Sequence, residues 1–205
     1  MLTDTQKALR EGAIGSSDAP AVVGVDDHGN TALALFYKLT GALPRYTDTE
    51  SRLQKIGMRL EPVIAELAAE EFNMKIRRVA GRIHPKYPFM SALADYEITT
   101  HPKGPGLLEI KNRAGEKPWN DLPQSIETQV RHQLAVMNRN WARVAVLFQF
   151  GELRCYELER DAETEQYLIE IEQQFMVRVE TGNPPPPDWS RDHETIKRLF
   201  PRDAG

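Results

Sequence analysis

Residues 106–112 read GLLEIKN. A glycine opens the run, and apolar Leu108 and Ile110 alternate with Glu109 and Lys111. Successive side chains of a strand leave opposite faces, so Leu108 and Ile110 share one face and Glu109 and Lys111 the other. Short alternation after a turn signal predicts a half-buried β-strand. The polar face has two readings. It is a surface ion pair, or it is a pair of groups placed side by side for chemistry.

Working outward, MKIRRVA (74–80) and FMSALADYEI (89–98) upstream read as two more strands, linked through Gly81, Pro85, Pro88, Pro102, Gly104 and Pro105. Downstream, WARVAVLFQF (141–150) and ELRCYELE (152–159) read as a hairpin joined at Gly151. Helical spacing marks residues 124–138, with Ile126, Val130, Leu134 and Met137, and residues 161–181. Before the strands come TDTQKALREG, SSDAPAVVG, NTALALFYKLTG and a longer pattern over 49–72, all helical. Pro62 lies inside that last pattern, and a mid-helix proline costs about 3 kcal/mol, so a kink or a new helix start is expected beside Glu61. NPPPPDW (183–189) reads as an extended strap, and RDHETIKRLF as a last turn or two of helix. Helices, three strands, helix, two strands, helix is an α/β order: a central mixed β-sheet flanked by helices. The expected organisation is one domain over 1–183 with an N-terminal helical portion, then a Pro-rich tail over 184–205.

The chain of 205 residues is 40% hydrophobic and 27% charged, as expected of a soluble globular protein with one sizeable core. No apolar stretch approaches a membrane span, and MLTDTQKALREGAIG has no signal-peptide-like apolar core, so a cytoplasmic location is expected. The sole cysteine, Cys155, excludes an internal disulfide and a cysteine-built zinc or iron–sulfur centre. The formal charge is −4. Acids concentrate in 151–180, while basic residues gather at Arg77, Arg78, Arg82 and Lys86 and at Lys111, Arg113 and Lys117. Such a division suits a groove that steers nucleic acid, or equally a solvated acidic face.

Asp95 stands among Leu93, Ala94 and Ile98, and an acid in such company needs a partner if buried. On neighbouring strands, Asp95 and Glu109 bring two carboxylates together, which repel unless a cation separates them. A hard ion such as Mg²⁺ takes carboxylate oxygens and keeps several waters. The backbone carbonyl of Ile110 is a further candidate ligand. Lys111 is then placed to orient a metal-bound water or to balance phosphate charge, the chemistry of phosphodiester cleavage.

Asp95 followed by Glu109-Ile110-Lys111 resembles the PD-(D/E)xK nuclease motif, with Ala94 where the motif's proline would stand. IGSSDAPAVVG (14–24), TALALFYKLTG (31–41), GMRLEPVIAELAAEEF (57–72) and TQVRHQLAVMN (128–138) resemble, in order, segments of the YqaJ-type viral recombinases, relatives of phage lambda exonuclease. The likeness spans roughly residues 8–180. It implies a restriction-endonuclease-like core and a Mg²⁺-dependent exonuclease, with Mn²⁺ a possible substitute. The enzyme would act 5′-to-3′ on linear double-stranded DNA ends and leave 3′ single strands for strand annealing. By the same resemblance Asp95, Glu109, Ile110 and the helix-borne Glu61 are the metal ligands and Lys111 is the catalytic lysine. Gln129 then joins Glu61, Asp95, Glu109 and Lys111 in the catalytic set. Arg10 and Ser17, and Arg131 where lambda exonuclease has a second glutamine, are candidates for the DNA 5′-phosphate. Leu93 stands where that enzyme has a serine. Arg131 as an exposed helix charge, Ser17 as a helix cap and Gln129 as a packing residue remain open. The resemblance also implies a trimeric ring around DNA, a single-strand annealing recombinase as partner, and a bacterial or phage-infected host cell. Alternatives on the same core are an endonuclease, a RecB-like repair nuclease, or a non-catalytic DNA-binding protein.

Overall fold

The computed structural model describes Ala8, residues 11–45 and residues 51–201. In chain order these form β1 (Ile14–Gly15), α1 (Ala19–Val23), α2 (Ala32–Leu39), α3 (Arg52–Glu71), β2 (Ile76–Arg78), β3 (Arg82–Ile83), β4 (Met90–Ala92) and β5 (Tyr96–Ile98). Then come β6 (Gly106–Arg113), α4 (Gln124–Met137), β7 (Trp141–Phe148), β8 (Leu153–Glu159), α5 (Ala162–Thr181) and α6 (His193–Leu199). The helix expected over TDTQKALREG falls almost wholly outside the described residues, as does Arg10.

The main sheet runs β2-β5-β6-β7-β8. Only β6 and β7 are parallel, with Glu109 opposite Val144 and Lys111 opposite Val146; the other pairings are antiparallel. The parallel step needs a crossover, and α4 supplies it. Leu107 of β6 faces a core shared with Ile126, Val130 and Leu134 of α4. Leu108 and Ile110 face the opposite core, built on Ile64, Ala65 and Ala68 of α3. The sheet is thus covered on both faces, and alternation sends Glu109 and Lys111 toward α4. The architecture is α/β, a mixed sheet between helices, as the sequence pattern indicates.

FMSALADYEI is not one strand. It breaks at Leu93–Asp95, so that β4 joins a small three-stranded sheet, β1-β4-β3, while β5 joins the main one. The break leaves β6 longer than its neighbour. β5 covers Gly106 to Leu108 only, and from Glu109 to Arg113 that edge of β6 has no strand beside it. Pro62 does not end its helix either: α3 runs through it from Arg52 to Glu71, opened by a capping box between Ser51 and Gln54. Buried Ile64, Ala65 and Ala68 one turn beyond hold the helix on the sheet, and packing of that kind outweighs the propensity cost.

Gly106 is required by close approach rather than by a turn. A Cβ there would meet the Trp141 indole at 2.4 Å. Trp141 is 1% exposed and donates its Nε1–H to the Gly104 carbonyl at 3.1 Å. Gly106→Ala is therefore expected to cost about 1–3 kcal/mol through overpacking, measured as a lower urea midpoint with an unchanged slope. An unshifted midpoint would contradict the contact.

The Pro-rich segment is fastened to the fold. Arg191 donates to the carbonyl oxygens of Asp26 and Asn30 at 2.5 and 3.0 Å, and the Thr31 hydroxyl donates to buried Asp192. Thr31 also caps α2. The tail thereby pins the loop at residues 24–31, which borders the cleft described next.

Candidate active site

A cleft of about 1100 Å³ opens where β6 outruns β5, between α3, the N-terminal end of α4 and the 24–31 loop. Glu61, Asp95, Glu109, Ile110, Lys111 and Gln129 all line it, and so does Ser17. Residues 34 positions apart between Glu61 and Asp95, and 14 apart between Asp95 and Glu109, therefore meet in one place.

Glu109 is buried, and donors surround it. Lys111 Nζ and Gln129 Nε2 donate to its Oε1 at 2.8 and 2.6 Å, and Gln133 Nε2 donates to its Oε2 at 2.8 Å. Lys111 Nζ also donates to Gln129 Oε1 at 2.9 Å, which closes a triangle. Gln129 and Gln133 are four apart on α4 and so share the face turned to β6. Gln133 is fully buried and reaches the Leu93 carbonyl as well, at 3.2 Å. Gln133 is absent from the residues that the motif resemblance marks; its spacing from Gln129 is the signal for it in the sequence. Truncating such a supporting group commonly costs 10–100-fold in activity. Gln133→Ala is accordingly expected to slow turnover about 10–100-fold, with Gln133→Glu no rescue because it sets two carboxylates together. Turnover within twofold of wild type would remove Gln133 from the site.

Asp95 sits at the bend before β5. It accepts the Ile110 N–H at 2.8 Å, replacing the strand partner that β5 no longer provides. Burial, then the charges of Glu109 and Glu61, push its carboxyl well above the usual range, against the Ile110 N–H and Lys111. A residue's N–H and C=O point to the same side of a strand. The Ile110 carbonyl is therefore also directed at the unpaired edge beside Asp95.

Glu61 approaches from α3 with its Oε1 at 2.8 Å from Arg78 Nη1. Among the described residues no three acidic, histidine or cysteine side chains form a ready cage for a metal ion. The donor set still fits a hard cation, since Mg²⁺ is commonly held by one or two carboxylates and completes its shell with water. Asp95, Glu109 and the Ile110 carbonyl supply that number, and the repulsion between the carboxylates, which adds to burial in raising Asp95, is what a cation would relieve.

Two candidate phosphate residues part company. Ser17 is exposed on the cleft wall just before α1. Arg131 is not brought to the cleft. Two residues past Gln129 it is turned about 200° around the helix, where it pairs with Glu127 at 2.7 Å. His132 is fully buried, with Nδ1 2.8 Å from Glu172 and Nε2 3.0 Å from the Ser91 carbonyl. Trp119 anchors its loop on the core, edge-on to Phe148 at 5.0 Å.

Similar architecture is found in solved structures. LHK-Exo in complex with dAMP matches with a TM-score of 0.72 and 18% identity, over 96% of this chain and 97% of that one. An alkaline exonuclease (LHK-Exo) from Laribacter hongkongensis gives 0.67 and 18%, over 93% and 94%. A phage related exonuclease from Haemophilus somnus gives 0.60 and 11%, over 83% and 96%. At such identities the likeness establishes the fold, the restriction-endonuclease-like core. No match emerges among curated proteins. The sequence model of the YqaJ-like viral recombinase domain matches residues 7–140, a span that runs from before β1 through α4 and includes each candidate residue of the cleft. The chain belongs to the YqaJ-like viral recombinase domain family.

Proposed function

We propose that the protein is a Mg²⁺-dependent exonuclease that enters linear duplex DNA at its ends. It degrades the 5′-ended strand and leaves a 3′ single strand for an annealing recombinase. The observation that carries this reading is the seat of Glu109, a buried carboxylate held by a lysine and two glutamines beside a second acid, Asp95, in one open cleft. Family membership, and the exonucleases among the structural neighbours, support a nuclease.

Asp95, Glu109 and the Ile110 carbonyl would hold the cation, and Glu61, now paired with Arg78, would join them. When bound, the ion polarises the scissile phosphate and lowers the pKa of a coordinated water. Mn²⁺ meets the same oxygen set and is expected to substitute. Gln129 and Gln133 fix the Glu109 rotamer. Gln129 also holds Lys111 Nζ, a cationic donor placed to orient the attacking water and to offset charge on the phosphate. Ser17, with Arg10 upstream, takes the 5′-phosphate of the DNA end; an arginine fork and a hydroxyl match phosphate oxygens. Assembly as a trimeric ring around the duplex would keep the enzyme on its substrate.

Duplexes labelled at the 5′ or the 3′ end of one strand test the polarity. The 5′ label is expected to appear first as a short product, in Mg²⁺ and not in EDTA, while the 3′-labelled strand shortens from its far end. Release of the 3′ label first would reverse the assignment.

A further inference from the structure

We propose that Arg113 is a second phosphate-binding residue of this cleft, gripping the DNA phosphodiester next to the one that reacts. The proposal rests on the nuclease reading and deepens it. Strand alternation places Glu109, Lys111 and Arg113 on one face of β6. Arg113 lies about 6.6 Å beyond Lys111 at 3.3 Å per residue, a step of the same order as that between neighbouring phosphates on one DNA strand.

The charges in the cleft point to it. Among the described residues lining the cleft, the lysine and arginine side chains are Lys111 and Arg113. Lys111 is committed to Glu109 and Gln129. Arg113 is not committed to a buried partner. Its Nη1 lies 3.2 Å from Glu116, and its Nη2 lies 3.1 Å from His28 Nε2. Both partners are substantially exposed, at 45% and 60% of their side chains. A phosphate oxygen can displace the Glu116 carboxylate and engage the guanidinium fork with better geometry.

The guanidinium is held ready for this. Its backbone enters a tight turn, with Glu116 N–H donating to the Arg113 carbonyl at 2.8 Å and Ala114 N–H to Asn112 Oδ1 at 3.2 Å. Its Cζ lies 5.6 Å from the Trp119 ring centre. That ring is fixed in turn, by Phe148 and by the Tyr156 hydroxyl, which donates to the Trp119 carbonyl at 2.7 Å. Trp119 Nε1–H donates to Glu116 Oε2 at 3.1 Å, so Glu116 keeps a donor when Arg113 leaves it. An arginine stacked on an anchored ring loses little freedom on binding, which suits a contact to backbone rather than to base.

The test is duplex binding by fluorescence anisotropy in EDTA across a salt series, joined to steady-state cleavage in Mg²⁺, for wild type, Arg113→Ala, Arg113→Lys and Lys111→Ala. Arg113→Ala is expected to weaken binding about tenfold and to flatten the log Kd against log salt slope by about one phosphate. Arg113→Lys keeps the slope and loses part of the affinity. In cleavage the loss in Arg113→Ala falls on KM, whereas Lys111→Ala loses kcat. An unchanged affinity and slope in Arg113→Ala, or a loss confined to kcat, overturns the proposal. So does a matching fall in melting temperature that Arg113→Lys does not restore. A wild type that binds DNA with the Arg113 dependence but cuts nothing overturns the nuclease reading and leaves the grip standing. A wild type that neither binds nor cuts overturns both.

Discussion

Glu109→Gln is expected to lower the cleavage rate at saturating DNA by about 10³-fold or more. The substitution keeps the volume of the side chain and removes its charge. Glu109 accepts from Lys111, Gln129 and Gln133 at once. An amide in its place has one acceptor oxygen, so its NH₂ must face at least one of those donors. On the proposed reading a bound cation would lose a ligand, and Lys111 loses the carboxylate that fixes Nζ. The effect should appear in single-turnover rates, with melting temperature recording any loss of fold separately. Cleavage within tenfold of wild type, by a folded variant, would move the chemistry away from Glu109.

The largest expected effect on stability lies outside the cleft. His132→Ala is expected to destabilise the fold by about 3–5 kcal/mol, the usual cost of stripping one partner from a buried ion pair. His132 and Glu172 are both wholly buried, and the pair ties α4 to α5 while the Ser91 carbonyl ties His132 to β4. Burial works against the charged imidazole, but the Glu172 carboxylate and the Ser91 carbonyl outweigh it and raise its pKa above the usual 6.5. A group protonated more readily in the folded state stabilises the fold fully below its unfolded pKa. That contribution fades as pH rises through the higher folded value. Wild type should therefore lose stability from about pH 6.5 upward, and His132→Ala should lack that slope. Adding Glu172→Gln to His132→Ala should recover part of the loss, because no unpaired carboxylate is left inside. A variant within 1 kcal/mol of wild type would show that the pair contributes little.

The strands and helices that carry the cleft were legible because their periodicities are strong. GLLEIKN alternates cleanly, and the repeat of Ile126, Val130, Leu134 and Met137 fixes α4. The acids Asp95 and Glu109 could be singled out because carboxylates among apolar neighbours demand a reason. Elements of two residues, such as β1 and β3, are too short to show a period, so the small sheet was not anticipated. Nor was the break that separates β4 from β5, since FMSALADYEI reads as one extended run. That break shapes the site by exposing the edge of β6 to Asp95. Gln133 shows in the sequence only through its four-residue spacing from Gln129, and nothing beside His132 in the sequence marks it as wholly buried. Arg131 shows the converse. It stands at a motif position where the relatives have another residue, and helix geometry turns it out of the cleft. At Pro62 local propensity predicts a kink or a new helix start, and no new helix starts there because Ile64, Ala65 and Ala68 pack on the sheet and carry α3 through.

End-dependent, Mg²⁺-dependent cleavage is tested by digestion of a linear duplex and a closed circular duplex of the same sequence, with Mg²⁺ or EDTA, by wild type and by Lys111→Ala. Loss of the linear DNA alone, in Mg²⁺ alone and by wild type alone, is expected. Cutting of the closed circle would contradict end-dependence and make the protein an endonuclease on this fold. Survival of both DNAs with Mg²⁺ present would reduce Glu109 and Lys111 to an ion pair on a strand.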